Sequence, residues 1–180
     1  MTTGSTIYNF EIALSDITRN VYEKLSLRVA QHPSETIEYL LTRTLAYCLE
    51  YRDCIEFTKG LADSDAPAIW MHDLTGKLTG WIEIGVPSAE RLHRASKKVD
   101  YLAIYTSKDP LNLLEQLKGE RIQNSEKIFV HVLGVDFIAA FKAILERRNT
   151  IELSVVEGNL YLNISGKNLT CPIVTHGLLS

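Results

Sequence analysis

The chain has 180 residues, about the length of one domain and enough to bury a sizeable core without covalent staples. Nineteen Lys and Arg against 22 Asp and Glu leave a net charge of −3, and 46% of the residues are hydrophobic. These values exclude a disordered, collagen-like or disulfide-built chain, and the acidic balance speaks against a bulk cationic coat for DNA.

Residues 6–14 and 21–30 alternate apolar and polar side chains, which predicts a hairpin turning near Ser15-Asp16. His32-Pro33-Ser34 stops the second strand and opens a helix. Ser34 is its expected N-cap, Glu35 suits its first turn, and its end is expected near Arg52-Asp53. Ile37, Leu40, Leu41, Leu45, Cys48 and Leu49 recur at helical spacing. Three short strands follow at 54–59, 68–73 and 79–86, punctuated by Gly60 and Pro67. Residues 74–77 form the tight turn between the last two. A helix at 89–98, a buried strand at 100–106, a helix at 110–118, a strand at 127–133 and a helix at 136–148 come next. A hairpin at 151–165 turns on Glu157-Gly158-Asn159. One α+β domain is the economical reading.

Cys48, Cys54 and Cys171 are odd in number and show no metal-ligand spacing, so free buried thiols in a reducing compartment are expected. The start MTTGSTIYNF lacks the basic-then-apolar pattern of a secretory signal, and no stretch reaches a membrane-spanning length. A cytoplasmic protein without a membrane partner is the resulting expectation. The chain carries no phosphate-binding loop, dinucleotide fingerprint or nucleophile elbow, and its five histidines show no ligand spacing.

The chemistry concentrates on the hairpin between the first two helices. On the strand Trp81-Ile82-Glu83-Ile84-Gly85-Val86, Ile82, Ile84 and Val86 form the buried face, and Trp81, Glu83 and Gly85 share the other. The plain alternative is an exposed Glu on a half-buried strand. A turn at 74–77 sets Glu83 opposite residue 68 or so. Asp65 then lies nearer to Glu83 than Asp73 does, although Asp65 also suits a turn in Ala-Asp-Ser-Asp-Ala-Pro. Two convergent carboxylates would suit Mg²⁺, which takes oxygen ligands and can activate water against a phosphoryl group. Arg91, Arg94 and Lys98 form one row on the following helix and supply candidate positive charge. Glu35 and Glu38 add acids on the first helix, with Glu38 at the border of its buried stripe and Arg43 as a partner for one of them.

Four segments carry a resemblance: His-Pro-Ser-Glu-Thr at 32–36, Phe-Thr-Lys-Gly-Leu at 57–61, Asp65-Ala66-Pro67 with Trp70, and Trp-Ile-Glu-Ile-Gly-Val-Pro at 81–87 followed by Arg91. In this order they resemble the YaeQ family of bacterial proteins over essentially the whole chain. The resemblance implies a variant of the PD-(D/E)XK, restriction-endonuclease-like fold: a core of helix, three strands, helix and strand, with N- and C-terminal hairpins added. It implies Asp65 and Glu83 as the paired nuclease acids holding Mg²⁺, and Glu35 or Glu38 as the acid of the preceding helix. The standard motif would place Lys two residues after Glu83, where this chain has Gly85. Arg91, Arg94 or Lys98 would then have to supply the charge. The family pattern also often has an acid at 66 and Lys at 94, where this chain has Ala66 and Arg94. Arg is always charged and cannot act as a base, though it can orient a phosphate.

Three functions remain open on the sequence. The first is a metal-dependent phosphodiesterase or nuclease. The second is a non-catalytic descendant that binds nucleic acid or a protein. The third is an interaction protein in which Asp65 and Glu83 point apart or pair with Arg91 and Arg94. Convergence of the two carboxylates separates the first from the third.

Overall fold

The computed structural model describes residues 4–59, 61 and 63–178. Gly60, expected to end a strand, lies outside the described residues. The strands are β1 (Thr6–Asp16), β2 (Val21–Gln31), β3 (Ile55–Phe57), β4 (Ile69–His72), β5 (Leu78–Ile84), β6 (Tyr101–Thr106), β7 (Phe129–Leu133), β8 (Arg148–Val156), β9 (Asn159–Ile164) and β10 (Lys167–Gly177). The helices are α1 (Ile37–Leu49), α2 (Ala89–Ser96), α3 (Pro110–Leu117) and α4 (Val135–Ile144). This is a mixed α+β fold, and the order helix, three strands, helix, strand runs from α1 to β6 as expected.

All ten strands join in the order β2-β1-β8-β9-β10-β7-β6-β5-β4-β3. β5, β6 and β7 run parallel, as do β1 and β8, and the other neighbours are antiparallel. Helices α1 and α4 bury their apolar stripes with Phe10, Leu14, Ile82 and Tyr105 in the larger core. Leu92 and Ala95 of α2 and Leu113 and Leu117 of α3 cover the opposite face at Trp81, Leu102 and Ile104. The expected N-terminal hairpin (β1 and β2) and C-terminal hairpin (β8 and β9) are both present, as parts of the shared sheet.

Several boundaries differ from expectation for local reasons. The N-cap of α1 is Thr36, whose hydroxyl accepts from the Tyr39 N–H at 3.2 Å, so Glu35 precedes the helix. The helix ends at Leu49, where Arg19 donates to the Cys48 and Tyr51 carbonyls. Helix α4 ends at Ile144, and β8 begins at Arg148 within the span expected to be helical. β10 was not expected. Pro172, which lacks an N–H, sits where β10 leaves β9 and turns to β7, so it interrupts no required ladder bond. Cys48 and Cys171 are buried, but Cys54 is exposed.

Among the described residues, no helix is long and apolar enough to cross a membrane.

Candidate functional site

The hairpin register follows the sequence reading. Ile69 pairs with Ile82 and Trp70 with Trp81, so Ala68 stands beside Glu83. Ala68 also donates its N–H to the Ile82 carbonyl at 3.2 Å. The position facing Glu83 thus holds a methyl group and no acid.

Glu83 is not a solvent-facing strand residue. It is only 4% exposed, because α2 covers the second face of β5. A buried carboxylate needs donors, and Glu83 has two. The Trp81 indole N–H and the Arg91 Nε–H each donate to Oε1 at 2.7 Å. The remaining guanidinium nitrogens of Arg91 donate to the Ser64 carbonyl at 2.5 Å and the Ala66 carbonyl at 2.6 Å. One side chain therefore ties helix α2, strand β5 and the loop before β4 together.

Arg91 and Arg94 lean from α2 toward the hairpin as expected, whereas α2 ends at Ser96 and Lys98 follows it in a turn, and each of the three finds its own partner. Arg91 takes Glu83. Arg94 reaches Asp65 at 3.8 Å in an exposed ion pair. The Lys98 ammonium lies 5.2 Å from the centre of the Trp81 ring, a cation–π contact.

Asp65 and Glu83 do not share a cavity. Asp65 is 77% exposed at its side chain and borders a small recess with Arg94 and Lys98. Glu83 lines a cleft of about 370 Å³ with Tyr39, Asp63, Ser88 and Arg91. Pro67 fixes the chain before β4, and the Asp63 carboxylate accepts the Asp65 N–H at 2.9 Å. This turn faces Asp63 into the cleft and leaves Asp65 outside. Asp63 was not singled out in the sequence, although it lies in the same Ala-Asp-Ser-Asp-Ala-Pro turn. Tyr39 was also missed. Burial pushes its hydroxyl up to about 12, so it stays a hydrogen-bond donor at the cleft wall.

The first-helix acids go elsewhere. Glu35 is buried and paired with Arg43. Glu38 is about half exposed, and its Oε1 accepts from Lys142 of α4 at 2.6 Å, which lowers its pKa. Glu38, at the border of the buried stripe as expected, is thus a surface bridge between α1 and α4.

Gly85 lies just beyond β5 with φ +89°, a region that side chains with a Cβ rarely adopt. Its N–H donates to the Tyr105 carbonyl at 2.8 Å. Val86, expected in the core, is 42% exposed because the strand has already turned. Replacing Gly85 with Lys, as the nuclease motif would require, is expected to cost about 1–2 kcal/mol from backbone strain. Urea denaturation of Gly85→Lys beside Gly85→Ala checks this, and the two should lose similar stability.

The donor set suits a tightly held cation poorly. Glu83 has one oxygen engaged, Asp65 is outside the cleft, and no third ligand of the His, Cys, Asp or Glu type joins them among the described residues. Glu83 with Asp63 is the one carboxylate pair that the cleft offers.

Comparisons place this arrangement among known proteins. Residues 1–173 match the family described as YaeQ protein. The chain is 29% identical over 171 residues to the YaeQ protein of Escherichia coli (strain K12), covering 94% of each. It is 25% identical over 170 residues to YaeQ of Salmonella typhi, again covering 94% of each. The crystal structure of YaeQ from Pseudomonas syringae superposes with a TM-score of 0.84 at 26% identity, covering 94% of both chains. That from Xanthomonas axonopodis pv. citri gives 0.81 at 26% identity, covering 96% of this chain and 98% of the other. With a family match over nearly its whole length and the same fold in solved relatives, this chain belongs to the YaeQ family.

Proposed function

We propose that the chain is a non-catalytic binding module built on a restriction-endonuclease-like framework. The order of α1 to β6 favours that framework. The observation that carries the functional reading is the fixed role of Glu83 and Arg91. The acid that would hold a metal instead anchors an arginine, and the arginine that would clamp phosphate instead braces the 64–66 carbonyls. Ala68 opposite Glu83 brings no second acid to it, and the left-handed backbone at Gly85 leaves the motif's Lys position without its chemistry. The cleft keeps hydrogen-bonding groups on Tyr39, Asp63 and Ser88, with Leu61 and Val86 as partly exposed apolar rims. Such a mixture orients a ligand without needing to cleave it.

A metal-dependent phosphodiesterase is the second reading. One observation favours it: Glu83 and Asp63 line one cleft, and Oε2 of Glu83 accepts no hydrogen bond among the described residues. Mg²⁺ held there would supply Lewis-acid activation of a phosphoryl oxygen.

Calorimetric titration with Mg²⁺ and Mn²⁺ separates the two. The binding reading expects no saturable heat in the wild type and about 2 kcal/mol of lost stability in Glu83→Gln, because Arg91 loses its charged partner. Saturable cation binding that disappears in both Glu83→Gln and Asp63→Asn would reverse the choice.

A further inference from the structure

Two of the resembling segments, 32–36 and 57–61, play little part in the cleft. They meet at a second cavity of about 190 Å³, next to the first and sharing Leu61 with it. We infer that this cavity is an anion site for a single phosphoryl group, free or carried on a small organic molecule.

The charge balance points there. Arg28 from the end of β2 and Lys59 from the segment after β3 both line the cavity. Neither has an ion-pair partner among the described residues. The one acid in the lining, Glu35, is already neutralised by Arg43. Two positively charged residues therefore border the space without an ion-pair partner among the described residues, which matches the charge of roughly −2 on a phosphoryl monoester at neutral pH.

The geometry adds a third donor. His32 lines the same cavity. Its Nδ1 accepts the Ser34 backbone N–H at 3.2 Å and lies 2.7 Å from the Ser34 hydroxyl. That contact leaves the ring proton on Nε2, free to donate. Arg presents a planar fork to phosphate oxygens, and Lys adds a compact charge beside it. Val29 and Phe57 add apolar wall that can pack against an organic portion of the ligand.

The size decides the ligand class. A nucleic-acid chain needs a row of cations along its backbone, and this protein carries a net charge of −3. A small pocket bordered by these two cations takes one phosphoryl group. The Thr58 hydroxyl on its wall donates to the Pro67 carbonyl, so the pocket is also tied to the loop that borders the first cleft. A ligand anchored by its phosphoryl group could extend past Leu61 into that cleft. The anion site itself goes beyond the cleft reading, because its test changes no cleft residue.

Calorimetry on the full chain tests it with inorganic phosphate, glycerol 3-phosphate and glycerol, on the wild type and on the double variant Arg28→Ser with Lys59→Ser. Both residues are exposed, so the variant should melt like the wild type when unliganded. The expected result is binding of both phosphate probes, none of glycerol, and at least about a tenfold weaker affinity in the double variant. Equal affinity for the two phosphate probes assigns the site to the free anion, and tighter glycerol 3-phosphate assigns it to esters. No heat with either probe, or affinity unchanged in the double variant, overturns the proposal. So does tighter binding of a short unphosphorylated single-stranded oligonucleotide.

Discussion

Arg43→Met is expected to lower stability by about 3–5 kcal/mol, because it leaves a carboxylate buried without its charge partner. Arg43 and Glu35 are 5% and 6% exposed. The guanidinium donates through Nε to Oε1 at 2.9 Å and through a terminal nitrogen to Oε2 at 3.0 Å. It also donates to the Ala30 carbonyl at 3.2 Å, and its face lies 5.2 Å from the centre of the Phe57 ring. Glu35 accepts the His32 N–H as well, at 3.0 Å. One ion pair thus fixes the crossing from β2 into α1 and holds β3 against it. For a domain of this length, thermal denaturation should show a drop of about 10 °C. The double variant Glu35→Gln with Arg43→Met should recover a large part of the loss, since the charge stranded in the single variant is gone. A double variant no more stable than Arg43→Met would show that lost packing against Phe57, not a stranded charge, sets the cost.

Acid should weaken the fold well before the carboxylates titrate, through His131. This residue on β7 lies between the Tyr105 ring, at 4.7 Å between centroids, and the Thr175 hydroxyl, at 2.9 Å from Nδ1. Burial holds its pKa down to about 4, against an ordinary 6.5. The unfolded chain therefore takes up a proton as pH falls through 6.5, while the folded chain resists until about 4. Stability is full above 6.5 and declines across that window by about 2–3 kcal/mol. Glu50 works in the opposite sense. Burial raises its pKa, although the Tyr101 and Tyr105 hydroxyls both donate to it at 2.8 Å. Its contribution is present at low pH and is lost as pH rises above the ordinary carboxyl range. Melting curves across the window for the wild type and His131→Gln isolate the histidine. The variant should show a flatter profile, and parallel profiles would remove His131 as the cause.

The sequence was most informative where geometry is local. A turn at 74–77 was enough to put residue 68 beside Glu83, and the ladder keeps that register to within a bulge at His72. The row Arg91, Arg94, Lys98 could be read because side chains three and four apart share a helix edge. Asp65 could not be positioned, because the segment before Pro67 is a turn whose own hydrogen bonds decide which acid faces in. Burial of Glu83 was hidden for a similar reason. Alternation along β5 separates two faces but does not say that α2 covers the second. Glu38 follows the periodicity of Leu45 and Leu49, yet in the first turn of α1 its nearest partner is Lys142 on the surface of α4. The reading stopped at the 151–165 hairpin, and so left out the longest strand of the C-terminal half.

The pairing of β1 with β8 has a consequence for how the protein is made. Asn149 at the start of β8 donates to the Asn9 carbonyl, across 140 positions of sequence. The β1–β2 hairpin is made with the β1 edge bare, and that edge waits until β8, which begins only at Arg148, covers it. Contacts this distant close slowly, and an uncovered strand edge is a template for pairing with other chains. The hazard in making this protein is therefore one of timing: slowed elongation after the first hairpin should raise the aggregated fraction, while the finished fold keeps that edge covered.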